Sequence, residues 1–309
     1  MMQTSLTIFV TVFAGLFGLA IGSFLNVVAY RLPRRISLLR ESRCANCRSR
    51  IRWYQNIPVV SWLALGGRCA VCWDRIPVRD LLVEIGTGVL FAAVALGVTV
   101  SRPFDARPVD GPQWFGTPEY WGVLLTLEVF AALTVVLTLI DLDTKRLPNA
   151  IVLPGWATVV ALILLTTIAT VLMPQPVPEA SAMAGPSGAG TPAAGIELWM
   201  PLLRALIGGA SLFLFYFLVR AISPRGMGGG DVKLAGLAGT VLGWFGWGEL
   251  LVGAFSAFLL GGVFGVVLIA LGRAKRKTAI PFGPWILAGA WVGLVAGAPL
   301  STWYLSLYS

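Results

Sequence analysis

The chain has 309 residues, of which 57% are hydrophobic and 12% charged, with no histidine and a formal net charge of +9. With a mean hydropathy of +0.82, it lies outside the soluble globular mixture, and its apolar runs reach the roughly 20 residues that cross a bilayer. The absence of histidine excludes a Ser-His-Asp triad, a Cys-His dyad, an HExxH metalloprotease and any histidine proton relay; no G-x-x-x-x-G-K-[ST] phosphate loop is present either.

Hydropathy predicts an all-α polytopic membrane protein with about eight transmembrane helices, at roughly 5–29, 81–100, 120–140, 151–173, 199–221, 231–248, 250–271 and 283–305. The first carries no charge through Tyr30 and is too long for a signal-peptide core, so it reads as a retained span. Gly22, Ser23 and Asn26 recur on it at helical spacing, as small polar residues do where membrane helices pack.

Residues 31–80 form the one sizeable polar segment, and fifty residues bury little core without a staple. The staple is written as Cys44-x2-Cys47 and Cys69-x2-Cys72, which together offer four thiolates to one tetrahedral ion, zinc being the natural choice. Two disulfides or four idle thiols are the alternatives. Four protein ligands leave no open position, so such a zinc is structural rather than catalytic.

Farther along, Glu84 lies near the start of the second span and Glu128 lies deep in the third, where a buried hydrogen bond is the expected reason for it. The third span ends in LTLIDLDTKRLPN. There Asp141 falls at the membrane boundary, Lys145 and Arg146 at the surface, and Pro148 breaks the helix. Residues 174–198, rich in Pro, Gly, Ala and Ser and free of Lys and Arg, read as a flexible external loop. SPRGMGGGDVKL then introduces the sixth span, the short and glycine-rich one. Its Gly226, Gly228, Gly229 and Gly230 are expected to allow close backbone approach and positive φ, with Asp231 and Lys233 following.

Of the 23 Lys and Arg residues, 20 fall in alternate loops, which by the positive-inside rule are cytoplasmic and leave both termini outside. The basic charge therefore reads as a topology signal and an attraction to anionic membrane lipid rather than a nucleic-acid site. Asp141 and Asp231 both come to the cytoplasmic boundary. Two carboxylates within about 3–5 Å cannot both ionise cheaply, so one holds a proton while the other accepts one from water, the arrangement of an aspartyl protease. The structural alternative is that they cap helices or pair with Lys145 and Lys233.

GSFLNVVAYRLP (22–33), the Cys44–Cys72 segment, IDLDTKRLPN (140–149), GMGGGDVKL (226–234) and IPFGPW (280–285) occur in this order along nearly the whole chain. Together they resemble the type IV prepilin peptidases, G-x-G-D aspartyl proteases that remove the basic leader of type IV pilins and type II secretion pseudopilins. Many members also methylate the new amino terminus with S-adenosylmethionine. The resemblance implies that Asp141, seven residues before Pro148, and Asp231 are the catalytic pair, and that Cys44, Cys47, Cys69 and Cys72 hold zinc. Ala45, Gly66-Gly67 and VRDLLVE (78–84) depart from the usual family pattern in the segment associated with methylation.

The expected organisation is a first helix plus zinc loop over 1–80 and a membrane peptidase domain over 81–309. Candidate substrate contacts are Glu84, Gly228, Gly230 and Lys233; Glu41, Asp74 and Asp80 are further candidates for meeting a basic leader. The competing reading is a proton-coupled transporter carrying protons on Asp141 and Asp231. Such proteins usually place acids at the bilayer midplane and show paired repeats, neither of which is visible here.

Overall fold

The computed structural model describes residues 2–101, 115–173, 199–223, 227–273 and 281–308. The loop expected at 174–198 and Gly226 lie outside these residues. Among the described residues the chain is helical, with no strand and only two isolated β-bridges.

The helices are α1 (Met2–Arg31), a short α2 (Val60–Ala64), α3 (Val78–Ser101), α4 (Pro118–Thr144), α5 (Asn149–Leu172), α6 (Met200–Ile222), α7 (Gly229–Phe245), α8 (Trp247–Ala270) and α9 (Gly283–Ser306). Seven of them are long and apolar enough to cross a membrane, so this is a multi-pass membrane protein. The exception among the eight predicted spans is α7, which forms where expected but has only 17 residues.

Contacts divide the chain into two units. The first comprises Met1–Arg102 with Leu127–Ile140 and the second Pro103–Thr126 with Asp141–Ser309, so α4 contributes to both. In the first unit α1 packs antiparallel on α3 through glycines. A Cβ on Gly18 would come within 2.8 Å of Phe91 Cβ, and one on Gly22 within 2.9 Å of Glu84 Cα. Small residues are what let membrane helices approach this closely, where lipid supplies no hydrophobic drive. Asn26 extends the same seam by donating its side-chain amide to the Asp80 carbonyl at 3.0 Å.

In the second unit α6 runs antiparallel to α7, and α8 to α9, again across glycine pairs: Gly208 on Gly239, and Gly253 on Gly289 and Gly293. Helix α7 touches α5, α6, α8 and α9 and is buried along nearly its whole length, from Asp231 to Trp244 with Lys233 alone excepted. That environment explains its composition. A helix surrounded by other helices needs small residues on every side rather than bulky lipid-facing ones, and Gly236 lies directly under Trp156, whose indole N–H donates to Thr240 Oγ1 at 2.9 Å.

Helix α4 begins on a cap, with Thr117 Oγ1 accepting the Tyr120 N–H at 3.1 Å and Pro118 in the first turn. It runs past Asp141 to Thr144 and stops at Lys145, which takes the left-handed conformation at φ 52°. The break therefore comes three residues before Pro148, which instead precedes the first turn of α5.

Candidate active site and metal centre

The two aspartates reach the same neighbourhood of the second unit from opposite helix ends. Asp141 lies one turn from the C-terminus of α4 and Asp231 in the first turn of α7; both are buried, with 4% and 9% of their surface exposed. Asp141 Oδ2 accepts the Gly283 N–H at 3.1 Å, and Asp231 Oδ2 accepts the Gly228 N–H at 3.0 Å. Each carboxylate thus sits against the amide end of a helix, α9 for one and α7 for the other, where the positive end of the macrodipole favours an anion. The two lie close enough to feel each other's charge. Among the described residues no donor reaches Oδ1 of either.

The capping alternative is half realised, since Asp231 does satisfy an amide at the start of its own helix. Pairing with Lys233 is not: that ammonium donates to Asn149 Oδ1 at 2.8 Å, linking the first turns of α5 and α7.

The glycines of the G-x-G-D segment act differently from expectation. Gly228 has φ −73°, and Gly229 and Gly230 are helical, so none needs positive φ. What they provide is space. A Cβ on Gly230 would lie 2.6 Å from Leu147 Cβ, and Gly229 lies beneath the Arg220 guanidinium. Leu147 also faces Gly283, whose added Cβ would meet Asp141 Oδ2 at 2.7 Å and Leu147 Cδ1 at 3.4 Å. One leucine from the α4–α5 connection is therefore wedged between the glycines beside each aspartate. Behind them the Tyr216 ring is fully buried against Phe258 and Phe282, within electrostatic reach of Asp231.

Gly283, Leu147, Tyr216 and Arg220 had no role in the sequence reading. Gly283 and Leu147 do lie inside the motifs IPFGPW (280–285) and IDLDTKRLPN (140–149), which gave their positions but not their contacts.

In the first unit all four cysteines converge, with every Sγ within 4.8 Å of the others and no disulfide formed. The Cys44–Cys72 and Cys47–Cys69 sulfurs are 3.7 and 4.0 Å apart. A tetrahedron of Zn–S bonds of about 2.3 Å has edges near 3.8 Å, so the four thiols can hold one metal ion.

The two halves of this cluster are copies offset by 25 residues. Arg43 bridges to Arg50 as Arg68 does to Arg75. The Cys44 N–H bonds to Ser49 as the Cys69 N–H does to Asp74. Arg48 and Trp73 take the left-handed conformation at φ 57° and 62°. Backbone N–H groups of Cys72 and Val71 hold the Cys69 thiol down at about 6. At Cys72 the Asp74 N–H acts in the same direction, but desolvation and the neighbouring thiols prevail and push it up to about 12.

Glu84, on α3, accepts the Val59 N–H at 2.7 Å. Val59 is β-branched yet has φ 61°, a strained conformation that this bond helps to hold. Of the other acids, Glu41 pairs with Arg43 at 3.4 Å and Arg50 at 3.2 Å, and Asp74 Oδ1 accepts the Arg75 N–H at 2.9 Å. The buried hydrogen bond expected for Glu128 is not formed: both of its carboxyl oxygens are buried without a partner among the described residues.

Two family models match the chain. One, described as the Bacterial Peptidase A24 N-terminal domain, covers residues 16–98, and the other, the Type IV leader peptidase family, covers 128–269. Among similar curated proteins is the prepilin leader peptidase/N-methyltransferase of Pseudomonas putida, 33% identical over 92% of this chain and 90% of the relative. Relatives bearing the same name in Aeromonas salmonicida strain A449 (31%, covering 94% and 92%) and Neisseria gonorrhoeae (32%, covering 90% and 88%) are also similar. No solved structure matches.

Proposed function

Because this chain belongs to the type IV leader peptidase family, we propose that it is a membrane aspartyl endopeptidase that removes the basic leader from type IV prepilins or pseudopilins and methylates the amine so exposed. Asp141 and Asp231 form the catalytic pair. The observation that supports this assignment is that both are buried, each is held through one oxygen by a helix-end amide, and they lie within reach of each other's charge.

In the reaction the pair holds one proton. The ionised member takes a proton from water as that water attacks the scissile carbonyl, and the protonated member donates to the carbonyl oxygen. On collapse of the tetrahedral intermediate the C–N bond breaks, the leaving amine takes a proton from the pair, and one hydroxyl of the intermediate returns a proton to the pair as the carbonyl re-forms. The helix-end amides at Gly228 and Gly283 fix the carboxylates so that little reorganisation accompanies charge movement. The exposed backbone at Gly228, with Gly230 under Leu147 and Lys233 farther along the helix, flanks the path of the substrate chain, and Glu84 meets the basic leader.

Topologically, the enzyme lies in the bacterial cytoplasmic (inner) membrane, with both termini outside and the catalytic pair at the cytoplasmic face, as the distribution of basic residues supports. Residues 1–80 provide the first helix and a loop stapled by a structural zinc on Cys44, Cys47, Cys69 and Cys72; residues 81–309 form the peptidase domain. Zinc would supply folding energy to the loop and no Lewis-acid chemistry. S-adenosylmethionine is the methyl donor that the second activity requires. A transporter reading gains nothing from relatives that are named peptidases.

The test is incubation of a prepilin-like peptide with the lipid-reconstituted parent, Asp141→Asn and Asp231→Asn, followed by mass analysis of the new amino terminus. The parent should cut once at the leader junction and add one methyl mass when S-adenosylmethionine is supplied. Cleavage retained in either variant would reject the catalytic pair.

A further inference from the structure

In the first unit a cavity of about 310 Å³ lies where α1 meets the loop that follows it. Its wall on α1 consists of Ala20, Phe24 and Val27, ending at Arg31, with Ser23 beside them. This spacing keeps all five on one face of the helix, and the face that carries Gly15, Gly18 and Gly22 packs on α3. Arg40 and Asn56, from the loop, close the polar end.

Arg31 decides what this cavity holds. Its side chain is 9% exposed. One guanidinium nitrogen donates to the backbone carbonyls of Ser37, Leu38 and Arg40, and the other to Ser42 Oγ. Those partners are dipoles, and no carboxylate among the described residues pairs with it. Glu41, the nearest acid along the loop, is taken by Arg43 and Arg50. A buried cation without a counter-ion is costly and is normally compensated by an anion. The surrounding segment supplies little: residues 31–80 hold eleven basic residues against three acidic ones.

The dimensions point to the same occupant. From Ala20 to Arg31 the helix rises about 16 Å at 1.5 Å per residue, close to the roughly 15 Å of one leaflet's hydrocarbon. Phe24, on the wall, is 53% exposed. The groove is therefore apolar over one leaflet's depth except at Ser23, and cationic at the level of the head groups.

We propose that this cavity seats one anionic phospholipid, its phosphate against Arg31 and Arg40 and an acyl chain along Ala20, Phe24 and Val27. The inference rests on the membrane placement given above but not on the peptidase chemistry, and lipid retention can be read without any cleavage assay.

The experiment is native mass spectrometry of the full chain, released from nanodiscs containing equal amounts of phosphatidylglycerol and phosphatidylcholine. One phosphatidylglycerol should remain bound, in at least about tenfold preference over phosphatidylcholine, a factor worth about 1.4 kcal/mol. Val27→Trp fills the groove without touching the cation and should abolish the preference; Arg31→Gln should do the same if the loop still folds. Inorganic phosphate at millimolar concentration should not displace the lipid, since it lacks the chain. Equal retention of both lipids, or unchanged preference in Val27→Trp, would overturn the proposal. Displacement of the lipid by S-adenosylmethionine would also overturn it, by giving the cavity to the methyl donor.

Discussion

Gly283 donates its backbone N–H to Asp141 Oδ2 across 142 residues of sequence, at 3.1 Å. The contact needs glycine because a side chain there would occupy the space of the carboxylate: a Cβ would lie 2.7 Å from Oδ2. Gly283→Ala should therefore displace the Asp141 side chain and lower kcat roughly 10- to 100-fold, the usual consequence of misplacing a reacting group by about 1 Å. Unchanged turnover in a folded Gly283→Ala enzyme would detach this amide from catalysis.

Leu147 offers a reciprocal test at the other aspartate. Gly230→Ala would bring a methyl group to 2.6 Å from Leu147 Cβ and should reduce activity by about tenfold or more, as overpacking shifts the start of α7. Leu147→Gly removes that Cβ and opens the space, so the double variant should recover much of the loss. Steady-state kcat/KM of the two singles and the double measures this coupling, and simple additivity would show that the two sites do not press on each other.

The tetracysteine loop should bind zinc in a pH-dependent way. Binding requires four thiolates, so every thiol still protonated must release a proton and the apparent affinity falls as the medium becomes more acidic. With Cys69 held near 6 and Cys72 pushed up to about 12, proton release at neutral pH comes from Cys72 rather than Cys69, and below about pH 6 Cys69 adds to the penalty. Competition with a chromophoric chelator between about pH 8 and pH 5 should show one zinc per chain, weakening progressively, with Cys72→Ser losing it. An affinity flat with pH would contradict thiolate ligation.

Glu84 separates two roles that its position permits. Glu84→Gln keeps an acceptor for the Val59 N–H and removes the charge, so it should raise KM for a basic-leader substrate several-fold while leaving the melting temperature nearly in place. Glu84→Ala removes both and should cost about 1–3 kcal/mol for the orphaned amide. If KM is unchanged in Glu84→Gln, the residue holds the loop and does not meet the leader.

The spans were legible because lipid imposes a simple condition on composition: apolar residues over about 20 positions. Helices α5 and α6 accordingly begin and end within two residues of the predicted limits. Helix α7 was the ambiguous one for the same reason reversed. Buried among other helices, it carries Ala235, Gly236, Ala238 and Gly239 in place of lipid-facing bulk, so hydropathy under-reports it. The four cysteines were legible because metal knuckles are local, each needing only a C-x2-C turn, and two turns converge wherever one ion draws them together. Gly283 and Leu147 were not, since their importance lies in contacts between segments far apart in the chain. Pro148 misled slightly, because the αL turn at Lys145 ends α4 before the proline can.

The central claim is that Asp141 and Asp231 act as one unit, and a double-mutant cycle on kcat/KM for a prepilin-like substrate tests it most directly. Asp141→Asn and Asp231→Asn should each lower the value by about 10⁴-fold or more, and the double variant should be no worse than the poorer single, because a catalytic pair is disabled by loss of either member. Losses that multiply in the double variant, or substantial cleavage by either single, would contradict a shared catalytic centre.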